Sequence, residues 1–152
     1  MSERWLSVVG YEGLYEVSDQ GRVRSLPRKA WCGGDRYRLT SARVLRPGLV
    51  GTGPYPAVKL SRNGEAPMRK VHRLVLEAFR GPCPPGMEAC HGPRGRLCAA
   101  LDNLRWDTKE ENSRDKRRQG RPLGGNPYGG RGLKRNARGQ FVRRVMDTLE
   151  AA

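Results

Sequence analysis

Met87–Asn112, MEACHGPRGRLCAALDNLRWDTKEEN, is the stretch whose reading decides the fold. Its first residues read as a strand ending in His91. The turn formers Gly92-Pro93-Arg94-Gly95 then force a sharp loop. Asn103 follows twelve residues after His91 and opens Asn103-Leu104-Arg105-Trp106 on the next element. Thr108 and Glu111 have capping-box spacing, which predicts a helix over about Lys109 to Gln119. A histidine at a strand end and an asparagine on the following element can bring a proton acceptor and a hard oxygen donor together. Such an oxygen suits Mg²⁺ or Mn²⁺.

The chain has only two histidines, His72 and His91. Histidine is the side chain best poised to move protons near neutral pH. His91 sits in a sharp loop and is the candidate general base. His72 lies in Val71–Phe79, VHRLVLEAF, where Val71, Leu74, Val75 and Phe79 share one helical face. It is expected to be a packed structural residue. Gly81, Pro82, Pro84 and Pro85 end that helix.

Upstream the chain reads as β-rich. In residues 10–26, GYEGLYEVSDQGRVRSL, two alternating runs flank Ser18-Asp19-Gln20-Gly21, a hairpin signal. Val23 faces one way and Arg22 and Arg24 the other. Pro27 to Thr40 reads as irregular and basic. Val44-Leu45, Ala57–Leu60 and Met68–His72 are further strand candidates. Downstream, residues 114–144 hold eleven Lys or Arg against one acid, Asp115, and read as a flexible basic arm. Residues 140–149 read as a short closing helix.

Thirty Lys and Arg face fifteen Asp and Glu, for a net charge of +15 and a pI near 10.7. A field of this sign attracts polyanions, and arginine forks suit phosphates and base edges. A basic RNA-binding protein would have the same composition. The four cysteines, Cys32, Cys83, Cys90 and Cys98, form no CxxC pair, so no zinc knuckle is signalled. The charged start and the lack of a long apolar run give no secretory or membrane-spanning signal, and a reducing cytoplasm is the expected setting.

The residues of Met87–Asn112 resemble the HNH motif of phage and intron homing endonucleases. The matching pieces are His91, Asn103-Leu104-Arg105-Trp106 and Glu111-Asn112, preceded by VHRLVLEAF. The hairpin at residues 10–26, led by Trp5, resembles the NUMOD-type DNA-binding motif attached to such nucleases. The resemblance implies that His91 takes a proton from the water attacking a phosphodiester and that Asn103 ligates a divalent cation. It places Cys90 at the second ligand position, although a thiolate is soft for Mg²⁺. It also places Ala99 where the family carries an asparagine that orients the histidine.

These readings combine into an α+β protein. Residues 1–50 would form a β-rich NUMOD-type module, 51–119 a ββα-metal HNH core and 120–152 a basic, partly flexible arm with a short terminal helix. The expected function is metal-dependent cleavage of double-stranded DNA, as a nick or a double-strand cut, using Mg²⁺ or Mn²⁺. Arg22, Arg24, Arg94, Arg96, Arg105, Lys116, Arg117 and Arg118 are the candidate DNA contacts. No membrane and no obligate protein partner is expected, and a phage-encoded copy would act in the host cytoplasm. The alternative is a catalytically weak DNA-binding protein that keeps the fold, suggested by Ala99 and Cys90.

Overall fold

The computed structural model describes residues 2–51, 54–118, 133–135 and 141–143. The hairpin expected at residues 10–26 forms from β2 (Tyr15–Ser18) and β3 (Val23–Ser25). It is widened by β1 (Trp5–Ser7) on one side and β6 (Arg43–Val44) on the other, in the order β1-β2-β3-β6. Alternation holds: Tyr15, Val17, Val23 and Ser25 are buried, while Glu16 and Arg24 lie on the other face.

Residues 27–40 depart from the expectation of irregular chain. They form a two-stranded antiparallel ribbon, β4 (Arg28–Trp31) and β5 (Tyr37–Thr40), joined by a turn through Gly33-Gly34. Sequence pattern hides it because β4, Arg28-Lys29-Ala30-Trp31, shows no alternation to match the short Tyr37–Thr40 run. The ribbon is held instead by its ladder and by cross-turn bonds: the Cys32 N–H donates to the Arg36 carbonyl at 2.9 Å, and the Trp31 indole N–H to that of Gly34 at 2.7 Å.

A three-stranded sheet follows, β7 (Gly48–Val50), β8 (Tyr55–Lys59) and β9 (Met68–Lys70). It leads directly into α1 (Val71–Arg80), whose buried residues are Val71, His72, Leu74, Val75 and Leu76. The nuclease-like segment is β10 (Met87–His91) paired antiparallel with β11 (Leu104–Thr108), then α2 (Lys109–Arg118). Thr108 caps α2 as expected, with the Glu111 N–H donating to Thr108 Oγ1 at 3.3 Å, but the Thr108 N–H donates to Asp107 Oδ1 at 2.8 Å and not to the Glu111 carboxylate, so only one half of the capping box forms.

One core joins the two halves. Val8, Tyr11, Tyr15, Val17 and Val23 pack in the same cluster as Val58, Leu60, Leu74, Leu76, Ala99 and Leu104. The hairpin turn also docks on the loop after β10. The Leu101 N–H donates to the Asp19 carbonyl at 2.8 Å. A Cβ on Gly21, whose φ is +78°, would stand 2.7 Å from the Ala99 carbonyl carbon and oxygen.

Beyond α2, β12 (Leu133–Arg135) pairs with β13 (Phe141–Arg143). Residues 141–143 are therefore strand and not the start of the expected closing helix. Extended pairing with Leu133–Arg135 supplies their backbone partners, which a short helix would have supplied from within. The rest of the expected arm and helix lies outside the described residues. The architecture is α+β, strand-rich with two α-helices among the described residues.

Candidate active site

The antiparallel register of β10 with β11 sorts the site onto two faces. His91 pairs with Leu104 and Ala89 with Trp106, facing α1. Cys90 pairs with Arg105 and Glu88 with Asp107, facing α2. The Trp106 indole N–H donates to the Gly81 carbonyl at the end of α1 at 3.1 Å, fixing the ribbon to that helix.

On the α1 face the two histidines meet. The His72 and His91 ring centroids lie 4.6 Å apart, edge to face. Tyr55 completes the group, 5.1 Å from His72 and 5.7 Å from His91. The expectation that His72 is packed holds, but its packing partner is the candidate base itself. Burial, reinforced by the charge of His91, Lys70 and Arg73, lowers the His72 pKa to about 3. His72 is therefore neutral at physiological pH, and its Nδ1 is buried with no hydrogen-bond partner among the described residues.

Basic groups ring this cluster. Lys70 Nζ lies 4.9 Å and the Arg96 guanidinium 5.8 Å from the Tyr55 ring centroid. A cleft of about 550 Å³ opens alongside, walled by Tyr55, Arg69, Lys70, Arg73, Glu88 and Asn112 among others. Within it the Asn112 side-chain amide donates to Glu88 Oε1. An amide bonded through its nitrogen carries its carbonyl oxygen on the same planar group. The pair thus concentrates hard oxygen donors in a basic cleft.

The residues expected to hold a metal fit less well. Asn103 is buried, 3% exposed, and its whole amide is engaged. Its Oδ1 accepts the Arg94 N–H at 3.1 Å, while Nδ2 donates to the carbonyls of Gly95 at 3.1 Å and Cys98 at 2.9 Å. It clasps the loop between β10 and β11. The clasp is tight enough that a Cβ on Gly92 would meet Asn103 Oδ1 at 2.9 Å. Cys90 is 1% exposed, and burial together with the nearby Glu88 carboxylate raises its thiol to about 11. It therefore remains a protonated, soft donor. Ala99 lies in the core at 6% exposure, where no ring-orienting side chain is within its reach to offer.

The expected DNA-contacting arginines are largely tied up. Arg22 bonds Glu3 through Nε at 2.8 Å, and Arg24 bonds Glu16 through Nε at 2.6 Å while stacking 4.2 Å from the Trp5 ring centroid. Arg94 pairs with Asp102. Arg105 bridges Asp107 at 2.7 Å and Asp115, and both hydrogen bonds raise its pKa further, so its charge is permanent. Arg117 and Arg118 are exposed at the end of α2, and Lys116 belongs to the same helix.

Sequence reading missed Tyr55, Lys70, Arg73 and Glu88. The alternation of β10 places Glu88 on the face of Cys90, which was a usable signal. Nothing in the sequence announced that β8 would bring Tyr55 to His91.

A strand ending in a histidine, a clasped loop, a second strand and a capped helix is the arrangement expected of a ββα nuclease core. Residues 69–114 match the HNH endonuclease family, and residues 3–61 match the NUMOD4 motif. The chain thus carries one segment similar to each of these two models. It is 29% identical over 108 residues to DNA endonuclease I-HmuI of Bacillus phage SP01, covering 71% of this chain and 54% of that relative. A solved structure described as DNA binding and cleavage by the HNH homing endonuclease I-HmuI superposes with a TM-score of 0.61 at 26% identity. That match covers 80% of this chain and 62% of the other. The chain spans about half the length of the curated relative it matches. HNH endonucleases generally use a divalent metal ion. Among the described residues no helix is long and apolar enough to cross a membrane.

Proposed function

We propose that this chain is a metal-dependent endonuclease that hydrolyses phosphodiester bonds of double-stranded DNA, with His91 as the general base. The observation that carries the reading is the placement of His91 at the end of β10 beside a basic, oxygen-bearing cleft. The buried His72 is the only other histidine, and its pKa near 3 makes it too weak a base for the task. His91 accepts a proton from the attacking water as the new P–O bond forms and the bond to the leaving oxygen breaks. Lys70, Arg73 and Arg96 attract and orient the phosphate. Tyr55 and His72 form the wall that fixes the His91 ring.

The structure supports Glu88 and Asn112 as the cation-holding pair, in preference to Cys90 and Asn103. Glu88 offers a carboxylate, Asn112 an amide oxygen, and both line the cleft. A bound Mg²⁺ or Mn²⁺ there would supply Lewis-acid stabilisation of charge on the phosphate and leaving oxygen. Asn103 does its work by holding the loop that carries His91.

The test is conversion of supercoiled plasmid by the purified chain with Mg²⁺, Mn²⁺ or EDTA. The proposal expects nicked or linear product with a metal and none with EDTA. Product that persists at full rate in EDTA would exclude a metal-dependent mechanism.

A further inference from the structure

We propose that Arg105 is a positioning residue of the nuclease centre: through Asp115 it docks α2 against the β10–β11 ribbon and so holds the Asn112 amide at Glu88. The inference rests on the reading of Glu88 and Asn112 as the cation-holding pair, and it adds what keeps that pair assembled.

The composition of α2 sets the problem. Its sequence, KEENSRDKRR, contains no apolar side chain. A helix this short is marginal by itself in water, and helices in proteins are normally seated by an apolar face. None of the described residues of α2 is buried, and Glu111, Asn112, Ser113 and Asp115 are half-buried. Hydrophobic packing therefore cannot seat this helix, and its place depends on polar links.

Those links run along one face. Thr108, Asn112 and Asp115 follow one another at spacings that bring helical residues into line. At the helix start the Thr108 N–H donates to Asp107 Oδ1 at 2.8 Å. In the middle the Asn112 amide donates to Glu88 Oε1. Further along, Asp115 accepts from the Arg105 guanidinium. The same guanidinium donates through Nε to Asp107 Oδ2 at 2.7 Å. Asp107 thus joins the helix start to Arg105, and Arg105 joins both to Asp115. Asn112 stands between the two attachment points. A single exposed ion pair contributes little. Arg105 differs because one planar fork bridges two carboxylates, and the Asp115 side chain is only 17% exposed. The register puts Arg105 on the ribbon face that also carries Glu88, so the docking bond and the cation pair share one side of the sheet.

Calorimetric Mn²⁺ titration of the full chain without DNA, paired with hydrogen exchange of the α2 amides in EDTA, tests the proposal. Arg105→Gln and Asp115→Asn should each weaken Mn²⁺ binding about tenfold. Both should speed exchange in α2 while the β10–β11 amides stay as protected as in wild type. Arg105→Lys, a point charge in place of a fork, should fall between. Raising the Mn²⁺ concentration should restore single-turnover cleavage in Asp115→Asn, because mass action recovers a weakened site. Glu88→Gln is the reference. Loss of Mn²⁺ binding in Glu88→Gln with wild-type affinity in Arg105→Gln and Asp115→Asn would overturn the docking proposal and leave the cation reading standing. Wild-type exchange of α2 in both docking variants would also overturn it. So would lost β10–β11 protection in both, since Arg105 would then support the fold at large. Should Arg105→Gln alone open the ribbon, Asp115→Asn, which alters only α2, decides. Wild-type Mn²⁺ affinity in Glu88→Gln itself would remove the cation-pair reading and this proposal with it.

Discussion

The imidazoles of His72 and His91 meet edge to face at a centroid separation of 4.6 Å, with Tyr55 against both. Two histidines this close cannot both carry a proton cheaply. Burial assigns the neutral state to His72, so the proposed function takes His91 as the proton acceptor. His72→Phe keeps an aromatic wall at similar volume and should reduce the cleavage rate by no more than about tenfold. The expected loss on removing a general base is far larger, roughly 10²–10⁴-fold. A His72→Phe rate as low as that of His91→Ala would make His72 a participant in proton transfer.

The same burial predicts a pH dependence of stability. The folded-state pKa of His72, about 3, lies below the ordinary value of 6.5. The unfolded chain therefore binds the extra proton between these values. Stability attributable to His72 is fully present above about pH 6.5 and falls as the pH drops toward 3. The slope approaches about 1.4 kcal/mol per pH unit in between. Urea unfolding at pH 4, 5, 6 and 7 should show a steeper loss for wild type than for His72→Phe. Parallel curves would mean that His72 is not held neutral.

Asn103 separates a clasp from a metal ligand. Asn103→Ala leaves the carbonyls of Gly95 and Cys98 and the Arg94 N–H without their side-chain partner, which should destabilise the fold by on the order of 2 kcal/mol or more. Asn103→Asp should be no milder, because a carboxylate cannot donate to the two carbonyls. A metal ligand would behave otherwise, since Asp keeps the oxygen donor. Thermal unfolding without metal checks this: wild-type stability in Asn103→Asp would show that the clasp is dispensable.

Much of this site was legible in the sequence. His91, its loop and the capped start of α2 follow from turn formers and the Thr108–Glu111 spacing. Asn103 was legible as important but not as to role, because spacing cannot show that both ends of its amide are consumed by backbone. The β4–β5 ribbon was illegible because β4 shows no alternation and the ribbon is held by backbone pairing and hydrogen bonds across its turn. Tyr55 and Glu88 were missed because they join His91 and Asn112 through tertiary packing between elements distant in sequence.

The cation pair makes its own prediction. Glu88→Gln and Asn112→Ala should each weaken Mn²⁺ binding in a calorimetric titration without DNA, by about tenfold or more, whereas Cys90→Ser should leave it nearly unchanged. A Cys90→Ser variant that loses Mn²⁺ while Glu88→Gln keeps it would return the ligand role to the strand position next to His91.

Gly21 and Ala99 record how closely the NUMOD4 hairpin seats on the HNH loop. Gly21→Ala adds a Cβ at 2.7 Å from the Ala99 backbone and strains a residue at φ +78°. A stability loss of roughly 1–3 kcal/mol is expected in chemical denaturation. Ala99→Asn should also destabilise, since it places an amide in the shared core, and it should not speed cleavage. A faster Ala99→Asn enzyme would show that His91 lacks sufficient orientation in the wild type.

The most direct measurement of the central claim is the single-turnover rate of duplex cleavage by wild type and His91→Ala, in saturating Mn²⁺ at equal DNA occupancy. With His91 as the general base, His91→Ala should bind DNA with nearly wild-type affinity and cut it roughly 10²–10⁴-fold more slowly. Cleavage by His91→Ala at the wild-type rate would contradict the account.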